Sequence, residues 1–235
     1  MAENKFVFTT EVVENIRQKF EDGYKISRQE KFWLSSFPLI RKAGLVFSFT
    51  DDELLEYTKC KFGTDEDGYP FVDPETQVLK QTGIQYFSEN YCMIKNEMGK
   101  IGNMRLRDYQ NDILNLYTDN RFSILAGSRQ IGKTITSAIT ILYYCIFETD
   151  KNIMIAANQK STTDEIISKI KDIYYFLPFF LKPGVSNWNQ SQITFGDTNC
   201  KIRSSAATKT AAIGFTIDLL FLDEFAHVAA NVVED

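Results

Sequence analysis

Apolar residues recur along this chain with two different periods, and the change of period marks its elements. Val12, Val13, Ile16 and Phe20 fall on one face of a helix that Thr10 can cap, and a second helix is expected over 27–33. Thr50-Asp51-Asp52-Glu53 reads as a capping box before Leu54, Leu55 and Tyr57, so a third helix starts there. Residues 61–74, with Gly63, Gly68, Pro70 and Pro74, read as a loop, and Gly99-Lys100-Ile101-Gly102 as a turn. A further helix opens at 104–110, with Tyr109, Ile113, Leu116 and Tyr117 on one side.

Beyond that helix the rhythm alternates. Residues 122–126 form an apolar run that reads as a buried strand, and 135–147 as a helix. Residues 151–157 give a second strand, followed by a helix over 161–176 capped by Ser161 or Thr162, with Glu165 nearby and Pro178, Pro183 and Gly184 ending it. Residues 191–195 and 200–204 flank Gly196-Asp197-Thr198-Asn199 as a hairpin, and 215–222 runs apolar into Asp223-Glu224. Strands alternating with helices, mostly apolar on both faces, predict an α/β fold with a mostly parallel sheet flanked by helices. A helical subdomain over 1–103 precedes this core over 104–235.

Composition narrows the chemistry. At 235 residues the chain can bury one sizeable core, and its net charge of -5 gives no argument for nucleic acid. Cys60, Cys92, Cys145 and Cys200 stand far apart, and His227 is the single histidine, which argues against zinc and for reduced thiols. The start has no apolar signal region and no run is long enough to span a membrane, so a cytosolic location is expected.

The candidate chemistry begins at Gly127-Ser128-Arg129-Gln130-Ile131-Gly132-Lys133-Thr134, which satisfies G-x-x-x-x-G-K-[ST] without substitution. Glycines at both ends let the backbone turn its N–H groups inward, forming an anion site with the start of the following helix. Lys133 is expected to reach the β- and γ-phosphates of ATP, and the Thr134 hydroxyl to ligate Mg²⁺. These residues make the core a P-loop NTPase. Gln110, upstream of the loop, is a candidate for reading adenine through its amide. Tyr109 beside it is expected either to stack on the base or to join the core.

Asp223, at the end of a buried strand, sits where a Walker-B aspartate holds Mg²⁺ alongside Thr134. Glu224 alternates to a different direction and can polarise an attacking water. Arg129 inside the loop is a candidate arginine finger in cis, or else a structural partner for a neighbouring carbonyl. His227 is expected to be satisfied locally. The aromatic run of Tyr174, Tyr175, Phe176, Phe179 and Phe180 is expected to be core or a subdomain contact.

With these residues assembled, the chain resembles the large terminase subunit of tailed phages, in its N-terminal ATPase domain. The likeness rests on Tyr86-Phe87-Ser88-Glu89-Asn90-Tyr91, Leu106-Arg107-Asp108-Tyr109-Gln110, Ser128-Arg129-Gln130-Ile131-Gly132-Lys133-Thr134, residues 158–171, and Leu220-Phe221-Leu222-Asp223-Glu224-Phe225-Ala226. The resemblance implies an ATPase that pumps double-stranded DNA into a capsid in the host cytoplasm. It also implies a homo-oligomeric ring in the full-length motor, with the phage portal protein and the small terminase subunit as partners. Within it, Gln110 belongs to the adenine-reading motif, Arg129 is the cis finger, and Asp223 with Glu224 is the metal and catalytic pair. Ile213 stands before Gly214 where the family often has arginine, and the sequence stops at Asp235, so a truncated core with an open sheet edge is expected. A superfamily-2 helicase shares the glutamine, P-loop and Asp-Glu, while a nucleotide-binding fragment without turnover is the other alternative.

Overall fold

The computed structural model describes residues 18–19, 22, 51–95, 101–128, 131–196, 198–208 and 216–224. The helices expected before residue 34, Arg129, Gln130, Ile213, Gly214 and His227 lie outside the described residues.

The helices are α1 (Asp51–Phe62), α2 (Gly83–Tyr91), α3 (Asp108–Asp119), α4 (Lys133–Phe147) and α5 (Lys160–Phe176). Two short antiparallel pairs, β1 (Thr64–Asp65) with β2 (Leu79–Gln81) and β3 (Met93–Lys95) with β4 (Ile101–Asn103), precede the main sheet. That sheet contains β5 (Asn152–Ala157), β6 (Val185–Trp188), β7 (Gln192–Phe195), β8 (Lys201–Ala206) and β9 (Leu219–Asp223) in the order β6-β7-β8-β5-β9.

Strand β5 is the axis of this sheet because its residues from Ile153 to Ala157 are all buried and it has parallel partners on both edges. A strand covered on both faces reads as a continuous apolar run, as this one does. β8 then pairs antiparallel with β7, and β7 with β6, so the sheet is mixed. The β7–β8 hairpin falls where the sequence placed it, whereas β6 has no alternating signal and was not expected.

Helix α4 joins the sheet half to the first helices. Phe147 meets Tyr57 of α1 at 5.2 Å and Phe87 of α2 at 5.9 Å between ring centres, and Tyr143 meets Phe87 at 5.8 Å. Such tilted and edge-on aromatic pairs add specificity to the area they bury. The Tyr143 hydroxyl also donates to the Lys61 carbonyl at 2.9 Å. Gly83 makes this approach possible, since a Cβ there would lie 2.6 Å from the carbonyls of Cys60 and Lys61. Between α1 and α2, the Glu56 carboxylate accepts hydrogen bonds from Tyr86, Tyr91 and Lys59. Burial pushes its pKa up, but those three bonds and the Lys59 charge outweigh burial and hold it below the usual carboxylate value. α1, α2, α4, α5 and the sheet share one hydrophobic cluster. The four cysteines are free and buried within it, and no described helix is long and apolar enough to cross a membrane.

Four expectations are corrected. Residues 122–126 are irregular rather than a buried strand, and the side chains of Phe122 and Ile124 are 83% and 94% exposed. Hydrophobicity alone does not make a strand: its backbone N–H and C=O groups need a ladder partner, and among the described residues none lies beside this segment. Strand β9, expected to be buried, is an edge strand among the described residues, with Leu220 and Leu222 open to solvent. The N-cap of α5 is Gln159, without a side-chain cap, rather than Ser161 or Thr162. Helix α4 also starts at Lys133 instead of 135, and α1 starts at Asp51, where a helix start was expected.

Candidate functional site

The loop that carries the phosphate-binding motif ends at Gly132, the N-cap of α4, with φ 86° and ψ 19°. This left-handed conformation suits glycine and strains residues with a Cβ. A Cβ at Gly132 would in addition lie 2.4 Å from Gln110 Nε2. That contact follows from the way α3 starts: Gln110 Oε1 accepts from the Arg107 amide at 3.0 Å, while Gln110 Nε2 donates to the Ile131 carbonyl at 3.3 Å. Gln110 is 9% exposed. Its amide therefore ties the first turn of α3 to the loop, and one N–H and one oxygen lone pair remain for another partner.

The opening of α4 has no side-chain cap, so its first amides are not met from within the helix. Lys133 Nζ donates to the Gly127 carbonyl at 3.1 Å, folding the ammonium back over the loop. Thr136 and Ser137 hydroxyls donate to the Lys133 carbonyl at 2.9 and 2.8 Å, which fixes the first turn. Gly127 is packed closely, because a Cβ there would lie 2.4 Å from Ile131 Cδ1.

Between α3 and this loop lies a cleft of about 520 Å³. Tyr109, Ile113 and Leu116 form one wall, and Leu125, Gly127 and Ile131 the other, with Asp112 and Ser128 as polar lining groups. An apolar cleft with a few polar groups, opening at a helix start, suits a flat heterocycle joined to an anion. Tyr109, 36% exposed, belongs to this wall and not to the core.

The carboxylate end lies on β9. Asp223 is its last residue, and Glu224 follows with φ 52°, a conformation that costs a non-glycine residue energy. The Glu224 amide donates to Asp223 Oδ1 at 2.9 Å, and the Glu224 side chain is exposed. Tyr117 of α3 packs on this end, its ring meeting Phe221 edge-on at 6.0 Å. Burial, helped by the nearby Asp223 charge, pushes the Tyr117 phenol pKa up.

Of the residues singled out in the sequence, Tyr109, Gln110, Gly127, Ser128, Ile131, Gly132 and Lys133 are gathered around the loop and cleft. Thr134 is in the first turn of α4, and Asp223 ends β9, with its charge near the Tyr117 phenol. The sequence reading missed Asp112 and the contact of Tyr117 with Phe221.

Residues 124–235 match the family model described as terminase large subunit, T4likevirus-type, N-terminal. Among solved structures, the crystal structure of the HK97 bacteriophage large terminase is similar in fold, with a TM-score of 0.50 and 19% sequence identity. That likeness covers 59% of this chain and 30% of the HK97 chain, so the present chain spans well under half of that relative.

Proposed function

We propose that the chain, whose residues 124–235 match the family model of the phage terminase large subunit, binds ATP with Mg²⁺ and hydrolyses it as the motor domain that drives double-stranded DNA into a capsid. The single observation that supports this most is the left-handed Gly132 at the start of α4, held from behind by Gln110 beside the apolar cleft. Together they offer a backbone cradle for phosphates and a slot for a base.

Each residue has a role in this reading. The amides from Gly127 to Thr134, with Lys133, hold the triphosphate, and the Lys133 ammonium exchanges the Gly127 carbonyl for phosphate oxygens. Tyr109 lies against the base, and Gln110 offers its remaining N–H and lone pair to adenine. Thr134 and Asp223 suit Mg²⁺, which takes one or two protein oxygens and completes its shell with phosphate and water. Bound there, the nucleotide supplies the phosphoryl group and the metal offsets its charge. Glu224 orients the attacking water as general base, and Arg129 acts on the γ-phosphate as a finger in cis. The portal protein, the small terminase subunit, a homo-oligomeric ring and the host cytoplasm are the setting the family implies. The P-loop NTPase fold, preceded by a helical subdomain, is part of the same proposal.

Titration with a fluorescent ATP analogue and steady-state ATP turnover test it. Lys133→Ala is expected to weaken binding by about tenfold or more, since a charged partner of phosphate is worth at least about 1.5 kcal/mol. Glu224→Gln is expected to bind normally and to lose about a hundredfold in turnover. A wild-type protein that does not bind the analogue sinks the reading. A wild-type rate no higher than that of Glu224→Gln reduces the chain to a nucleotide-binding module.

A further inference from the structure

We propose that Asp112 is a specificity-determining residue of the nucleotide site, its carboxylate accepting hydrogen bonds from the ribose hydroxyls of the bound nucleotide. This rests on the ATP-binding reading above and deepens it by naming the part of the ligand that the rim of the cleft selects.

Asp112 stands where a carboxylate has no structural task. Tyr109, Asp112, Ile113 and Leu116 are spaced i, i+3, i+4 and i+7, so they fall on the one face of α3 that walls the cleft. Among an aromatic and two aliphatic side chains, an acid is the exception on that face. Asp112 is past the first turn of α3, in which an acid complements the helix dipole, and Asp108 already fills that place. Its neighbours three and four residues away, Asp108, Tyr109, Asn115 and Leu116, include no cation, so no ion pair along the helix is open to it. Among the described residues nothing donates to its carboxylate.

The cleft is graded from an apolar interior to a polar rim. Ile113 is buried at its floor, Leu116, Leu125 and Ile131 are half-buried, and Asp112 on one wall and Ser128 on the other are exposed. A nucleotide held by its phosphates at the loop and by its base in the apolar interior carries its sugar between the two, at that rim. An ionised carboxylate only accepts, so its partner on the ligand has to be a donor. Beyond the base, the donors of a ribonucleotide are its 2′ and 3′ hydroxyls, a diol whose two O–H groups match two carboxylate oxygens. The same pairing of an acid with a ribose hydroxyl serves dinucleotide sites on another fold. The exocyclic amine of adenine is left to the remaining lone pair of Gln110.

Calorimetric titration of the full chain with Mg²⁺ and ATP, 2′-deoxyATP, 3′-deoxyATP or inosine triphosphate tests this in the wild type, Asp112→Ala and Asp112→Asn. All four ligands carry the same charge, so repulsion between a carboxylate and a triphosphate cancels in each comparison and the hydrogen bonds remain. The wild type is expected to bind ATP about tenfold more tightly than either deoxy form, the scale of a hydrogen bond to a charged group. In Asp112→Ala that preference is expected to fall within about twofold, while the preference for ATP over inosine triphosphate stays. Asp112→Asn, which keeps the shape and one acceptor, is expected to lie between the two. Equal wild-type affinity for ATP and both deoxy forms overturns the proposal, as does a preference over the deoxy forms that survives in Asp112→Ala. If that variant instead loses only its preference over inosine triphosphate, the carboxylate belongs to the amine of the base and the ribose assignment is overturned. A wild type that binds none of the four ends the ATP-binding reading and this one with it, whereas one that binds all four alike ends this one only.

Discussion

Two apolar runs of similar length, 122–126 and β5, meet opposite fates. In β5, Ile153 and Ile155 are 2% and 0% exposed, with β8 on one edge and β9 on the other. In 122–126, Phe122 and Ile124 project into solvent and the backbone takes no regular form. Their composition does not explain the difference. β5 is met on both edges by strands and on its faces by packed side chains, so each peptide group finds a partner. Among the described residues the first run lacks a ladder, and Phe122 and Ile124 are left open to solvent. An apolar pattern proposes a strand, and neighbouring backbone disposes of it.

The comparison can be broken at the closed end, at the joint, or at the open end. The largest effect is expected at Ile155→Ala, which removes a fully buried side chain between two strands and should cost about 2–5 kcal/mol by chemical denaturation. A loss below about 1 kcal/mol would mean that β5 is not the enclosed axis described above. At the joint, Gly132→Ala puts a Cβ at 2.4 Å from Gln110 Nε2 and into a left-handed conformation. About 1–3 kcal/mol of destabilisation is expected, with weakened analogue binding. Normal stability and binding there would remove Gln110 as the clamp behind the loop. The smallest effect is expected at the open end: Ile124→Ser, with its side chain 94% exposed, should shift stability by less than about 0.5 kcal/mol. It should also reduce concentration-dependent light scattering, because an exposed apolar side chain beside an exposed phenylalanine favours association. A loss of several kcal/mol would instead place 122–126 in a packed strand.

These contrasts also say what the sequence made legible. Where an element's own residues carry the signal, the reading was sound: the start of α1, the apolar stripe of α4, the continuous run of β5 and the turn between β7 and β8 all report on local physics. The glycine at 132 was legible for the same reason, since it answers a backbone demand at 132. What depended on contacts distant in sequence was not. Burial of 122–126 and of β9 is decided by what lies beside them. The sequence likewise held no sign that Gln110 would spend half its amide on Arg107 and Ile131, or that Tyr117 would meet Phe221. β6 was missed because its residues pair by register with β7 without alternating clearly themselves.

Glu224 occupies a left-handed backbone position, φ 52°, immediately past the last ladder residue of β9. Glycine or asparagine would fit that corner with less steric conflict. Holding a long acidic side chain there means that local comfort and the presence of an acid pull in opposite directions at one residue. On the proposed ATPase reading, any sequence drift that favours a more robust fold at this corner is drift away from the carboxylate that hydrolysis would use.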